Sequence, residues 1–132
     1  MGKIFGEIGL LGAKNKFIKV KALFDTGAES NYISKTFGDG SSIYDLGILE
    51  FEEETPVIFP DGNEIKGRMI KLKLLKIEGT VPIQEPRFCL FDMRLYEVII
   101  GAKLMQQVGI VLNPYKKEIN FNGFNSPDTP TQ

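Results

Sequence analysis

Asp25-Thr26-Gly27 follows directly on the apolar run Val20-Lys21-Ala22-Leu23-Phe24. A carboxylate at the end of a strand that reads as buried costs free energy unless it is paired, hydrated or used. Presented on a loop by a rigid strand, it is placed for general acid or base work. In an ordinary tight turn it would instead accept bonds from nearby backbone amides, with Gly27 supplying unusual dihedrals. The chain has no histidine, which removes Ser-His and Cys-His nucleophile systems and the commonest ligand for zinc or copper. Its one cysteine, Cys89, stands between Phe88 and Leu90 and reads as a small core hydrophobe. Gly6, Gly9 and Gly12 lack the Gly-Lys-Ser/Thr ending of a phosphate loop. The run Glu50-Phe51-Glu52-Glu53-Glu54 reads as a solvated face and not a metal site. Proton chemistry is left to carboxylates, Lys, Tyr or Ser.

The elements that must position Asp25 are mostly strands. Ile4 to Leu11, the turn Gly12-Ala13-Lys14-Asn15 and Phe17 to Phe24 read as a hairpin. In its second strand Ile18, Val20, Ala22 and Phe24 share one face, and Lys19 and Lys21 the other. Residues 34–54 are less regular, with a loop over Gly38 to Ser42. Pro56-Val57-Ile58-Phe59, the turn Pro60-Asp61-Gly62-Asn63 and a return from Glu64 to Ile77 make a second hairpin, marked by its Asp-Gly pair. The apolar parity of that return slips at Met69-Ile70, which implies a bulge or a strand that projects first and enters the core later. A strand region follows over Val81 to Phe91, interrupted by two prolines, and then Val98-Ile99-Ile100-Gly101. Ala102 to Val108 reads as a two-turn helix with Gly109 as its cap. Ile110 to Leu112 and Glu118 to Phe121 close the pattern as short strands around Asn113-Pro114-Tyr115. The expected fold is all-β, a small partly closed barrel with one short helix near the C-terminus. The tail 122–132 is polar and expected to be flexible.

At 132 residues one domain is expected, with a core that needs no staples. Sixteen Lys+Arg balance 17 Asp+Glu for a net charge of -1, so no basic excess points to nucleic acid. No apolar run approaches a membrane span, and MGKIFGEIG lacks the apolar block of a signal peptide. With one cysteine no internal disulfide is possible, so a reducing, cytoplasmic setting is the expectation.

Three matches in order make residues 3–121 resemble a subunit of the retroviral-type (retropepsin-like) aspartic proteases. Phe24-Asp25-Thr26-Gly27-Ala28 resembles the active-site loop of that family. The hairpin around Pro60-Asp61-Gly62, followed by Gly67, resembles its flap, here Ile58 to Arg68. Val98-Ile99-Ile100-Gly101 with the helix to Val108 resembles its apolar-apolar-Gly element and C-terminal helix. The resemblance implies a protease domain over 1–121 and an aspartic endopeptidase with no metal and no cofactor. Two carboxylates close together share one proton, so one can act as base and the other as acid. Only one Asp-Thr-Gly is present, so the second carboxylate must come from a second copy, in a two-fold homodimer acting on protein or peptide.

By the same resemblance Asp25 is catalytic, Thr26 bonds across to the partner loop, and Gly27 lets the substrate backbone approach. Ala28, which cannot donate the hydrogen bond a Ser would give, implies a pH optimum nearer neutral than in Ser-containing relatives. Substrate contacts fall to Glu29, Ile58, Phe59, Pro60, Asp61, Gly62 and Ile100, with Leu23 and Ala28 beside them. Glu29 departs from the Asp common at that place in viral members, the hairpin tip is more polar than viral flaps, and the 38–54 insert is long and acidic. A catalytically silent dimer that keeps the fold for protein interaction stays open as the alternative.

Overall fold

The computed structural model describes residues 3–59, 61–113 and 115–121, so Pro60 and the tail 122–132 lie outside the described residues. The chain runs β1 (Lys3–Leu11), β2 (Phe17–Asp25), β3 (Tyr32–Ile33), α1 (Ile43–Leu46), β4 (Glu50–Phe51), β5 (Thr55–Ile58), β6 (Glu64–Lys71) and β7 (Leu74–Ile77). It continues through β8 (Ile83–Gln84), β9 (Arg87–Leu90), β10 (Val98–Ile100), α2 (Ala102–Val108), β11 (Ile110–Asn113) and β12 (Glu118–Phe121). Ten strands form one curled sheet in the order β4-β6-β9-β3-β10-β2-β1-β7-β8, with β5 also beside β6, and β11 and β12 pair separately. No helix among the described residues is long and apolar enough to cross a membrane, which says nothing about crossing by strands.

Period-two alternation decides what the sheet buries. Ile18, Val20, Ala22 and Phe24 of β2 are buried, and Lys19 and Lys21 between them are exposed. Antiparallel register sets Phe24, Val20 and Ile18 opposite Ile4, Ile8 and Leu10. The same apolar face continues through Val98, Ile100, Ile33, Phe88 and Ile70, and Leu104, Met105 and Val108 of α2 join the cluster. Truncating a buried side chain such as Phe24 costs about 3–5 kcal/mol, far more than a surface contact, so this face holds the curl together.

β10 lies between β2, to which it runs parallel, and β3, to which it runs antiparallel. Three apolar residues, Val98-Ile99-Ile100, are thereby threaded into the middle of the sheet next to the Asp25 end of β2. α2 begins at once, and Gly109 ends it in the left-handed conformation at φ 77, as a C-cap glycine should.

Two departures from the sequence reading have plain causes. The return strand expected over Glu64 to Ile77 is two strands, because the chain changes partners at Leu72 and Lys73. β6 pairs with β5, β4 and β9, and β7 pairs with β1 and β8. The parity slip is resolved by a strand that projects first. Residues 64–67 pair only with β5, while Ile70, facing Phe88 and Phe51, is buried. The second departure is an extra helical turn, α1, inside the 34–54 stretch. Ser42 caps it by accepting from the Asp45 amide, and the Asp45 carboxylate accepts in turn from the Ser42 amide, a capping box. The turn after β1 docks on this element through Lys14 N–H to the Leu46 carbonyl and Ala13 N–H to that of Gly47.

The acidic run is exposed along β4 and after it, and cations anchor two of its members. Lys71 bonds Glu50 at 2.6 Å and Glu85 at 3.1 Å, and Arg87 reaches Glu52 at 3.1 Å. The Lys71 hydrogen bond, then its charge, holds the Glu50 carboxyl below the usual range, and the same partners raise Lys71. A carboxylate depressed in the fold stabilises it above the unfolded titration and stops doing so as pH falls through the folded value. Protection of the Leu49 to Glu52 amides, taken relative to their intrinsic exchange rates, should therefore fall on acidification below the usual carboxylate range of about 4 and hold steady between about pH 6 and 8.

Candidate active site

Asp25 is the last residue of β2 and half-buried, and the loop after it turns back at once. Its Oδ1 accepts the Gly27 N–H at 2.8 Å and its carbonyl accepts the Ala28 N–H at 3.1 Å. An Asx turn of this kind forms in many loops; what distinguishes this one is its support from behind. The Ala28 carbonyl accepts the Ala102 N–H, the first amide of α2, at 2.7 Å. Gly101 lies so close beneath that a Cβ there would fall 2.4 Å from the Ser30 carbonyl oxygen and 2.7 Å from that of Ala28. Thr26, Gly27 and Glu29 are exposed on the other side, and Ala28 is half-buried. The loop is thus clamped on one side and open on the other.

Asn31 completes the clamp. Its Oδ1 accepts the Gly101 N–H at 2.9 Å, its Nδ2 donates to the Arg87 carbonyl at 3.2 Å, and its carbonyl accepts the Cys89 N–H at 2.8 Å. One side chain therefore ties the loop to β10 and β9. No motif marked it in the sequence; the only signal was an amide placed between the loop and a strand.

Cross-strand register defines what shares the face of Asp25. Leu23 is opposite Ile99, Ile99 opposite Tyr32, Tyr32 opposite Cys89, and Cys89 opposite Met69. Residues paired this way point to the same side, so an apolar row crosses five strands beside Asp25. Leu23 and Cys89 are buried, and Ile99, Tyr32 and Met69 are half-buried. Ile100, expected to touch substrate, lies on the opposite face and is fully buried against the core. The residue of β10 on the Asp25 side is Ile99, which strand parity alone could have indicated.

The second hairpin projects over this region. Gly62 adopts φ 88, with open space around it, and Asp61 organises the turn by accepting from the Asn63 amide and side chain at 2.9 Å each. Phe59 and Asn63 close it, with Phe59 N–H to the Asn63 carbonyl at 2.9 Å and Gly62 N–H to that of Phe59 at 2.9 Å. Ile58 is 71% exposed, Asp61 and Gly62 are exposed at the tip, and Pro60 lies outside the described residues. Phe59 turns inward, to Tyr32 and Phe91. Burial pushes the Tyr32 phenol up, as do Cys89 and the charge of Glu29, against a hydrogen bond with Ser30. Burial likewise raises the Cys89 thiol, which suits a core residue. No metal-holding group of three or more His, Cys, Asp or Glu exists among the described residues.

Fold and site together define a mainly β, partly closed barrel that carries an Asp-Thr-Gly loop braced by an apolar-apolar-Gly strand. Solved structures similar to it include a retropepsin-like aspartic protease from Rickettsia conorii, at 18% identity over 85% of this chain and 88% of that one, with a TM-score of 0.49. Another is the retroviral protease-like domain of Ddi1 from Leishmania major, at 14% identity over 98% of this chain and 96% of that one, also at 0.49. No family model and no curated protein matches the chain.

Proposed function

We propose that this chain is one subunit of a homodimeric aspartic endopeptidase, its domain spanning 1–121, with Asp25 and its symmetry mate as the catalytic pair. The observation that carries the reading is the clamped loop: α2, Gly101 and Asn31 brace Asp25-Thr26-Gly27 from one side and leave the other open. A rigid backing is what a carboxylate needs to hold a partner and a water in fixed geometry. Two carboxylates about 3 Å apart share one proton. The ionised one takes a proton from water as it attacks the peptide carbonyl, and the protonated one donates to the carbonyl oxygen. The roles reverse when the amine leaves.

Each remaining element has a place in this reading. The hairpin of β5 and β6 covers an extended peptide and excludes water, with Ile58, Phe59, Asp61 and Gly62 nearest to it; Pro60, between them in sequence, lies outside the described residues. Glu29, exposed just past the loop, is placed to meet the substrate backbone. Leu23 and Ile99 offer the apolar wall beside Asp25. The hairpin of β11 and β12 supports a two-fold contact near the axis. It pairs with no other strand among the described residues, leaves Val111 51% exposed, and sets Ile119 under Gly6 beside the Phe24 ring. Carboxylates and water suffice for this chemistry.

The test joins mass and turnover. The purified chain, followed by sedimentation while it acts on a mixed peptide pool, should cleave with a rate that tracks the dimer and falls with the square of concentration once dimers dissociate. A stable dimer that cleaves nothing from acidic to neutral pH would instead favour the silent interaction module, and a strict monomer would remove both readings.

A further inference from the structure

Three aromatic rings meet where the second hairpin touches the sheet, and the chemistry above leaves two of them without a task. Phe59, next to the hairpin tip, lies 6.3 Å from Tyr32 and 5.8 Å from Phe91 between ring centroids, and Tyr32 and Phe91 lie edge-on at 5.6 Å. All three spacings fall in the range of favourable aromatic pairs, and each residue is half-buried.

Apart from this contact the hairpin is lightly held. Thr55, Pro56 and Ile58 are exposed, Val57 and its partner Ile65 are half-buried, and β6 gains its second neighbour, β9, only from Arg68 onward. The floor under Phe59, by contrast, is fixed. Tyr32 is paired in register with Ile99 on one side and Cys89 on the other. Phe91 also borders a cavity of about 380 Å³ behind the hairpin, together with Lys66, Arg68 and Tyr44.

We infer that Tyr32 and Phe91 are positioning residues that dock Phe59 and so set the height of the hairpin tip above the Asp25 loop. The consequence for catalysis rests on the endopeptidase reading; the docking itself does not. Peptide enters beneath a tip that the chain's own rings hold down.

Amide hydrogen exchange in the full chain tests the docking without any substrate. In Phe91→Leu, which keeps apolar volume but loses the ring, exchange over Val57 to Ile65 should accelerate about ten-fold while β1 and β2 stay protected. Tyr32→Phe and Phe91→Tyr, which keep the rings, should leave hairpin exchange within about two-fold of the wild type. Phe59→Leu, on the hairpin itself, repeats the test should Phe91→Leu fail to fold. Unchanged hairpin exchange in these leucine variants, or equal acceleration in β1 and β2, overturns the inference. With peptide substrate, kcat/KM should fall about ten-fold in Phe91→Leu and recover in Phe91→Tyr. A wild-type chain that cleaves nothing counts against the endopeptidase reading, and the exchange result still decides the docking.

Discussion

Asp25→Asn should abolish peptide cleavage, by about a thousand-fold or more, while leaving the dimer and the melting temperature close to those of the wild type. Asn keeps the shape of Asp and an oxygen that can still accept the Gly27 N–H now bonded at 2.8 Å, so the turn survives. What it loses is the ability to take and return a proton. The sharper result comes from mixing. If one site is built from two chains, equal amounts of wild type and variant, dissociated and allowed to reassemble, should retain about a quarter of the activity per total chain. Only wild-type pairs then carry two carboxylates. A chain that worked alone would retain about half, so an ordinary rate assay separates the two cases, and retention of half would sink the shared site.

Much of the scaffold could be read from the residues because it depends on local signals. The alternation in Phe17 to Phe24, the Asp-Gly turn and the Gly109 cap each correspond to a backbone state that nearby side chains dictate. What escaped depends on distant partners. The break at Leu72 and Lys73 arises because Leu72 N–H donates to the Pro86 carbonyl and Lys73 N–H to that of Leu11, and no local pattern announces either. α1 did carry a local sign, Ser42 three residues before Asp45, but a single turn is too short for apolar periodicity to show. In the site, Asp25 was legible as a motif, whereas Asn31 acts through carbonyls and amides 56 and 70 positions away. Ile100 was placed by motif membership, although strand parity puts Ile99 on the side of Asp25 and Ile100 in the core. Phe59 was foreseen as part of the hairpin, but its meeting with Tyr32 and Phe91 is tertiary.

Gly101 is where fold and site depend on the same missing atom, and Gly101→Ala should show it. A new Cβ would lie 2.4 Å from the Ser30 oxygen and 2.7 Å from the Ala28 oxygen. Both are backbone atoms in a braced loop and cannot rotate away as a side chain could. The loop or the start of α2 must shift, which puts at risk the Ala102 to Ala28 bond at 2.7 Å and the Gly101 to Asn31 bond at 2.9 Å. Overpacking of this kind costs about 1–3 kcal/mol, and each strained hydrogen bond adds about 1 kcal/mol. A loss of about 3 kcal/mol should lower the melting temperature by roughly 10 °C in a domain of this size. Gly38→Ala is the matched control, because its nearest neighbour is the end of the Glu97 side chain at 3.4 Å, and it should change stability by less than about 0.5 kcal/mol. Cleavage should fall further than stability in Gly101→Ala, since the displaced atoms carry Ala28 and, through it, the turn that holds Asp25. A variant that melts and cleaves like the wild type would show that β10 does not brace the loop.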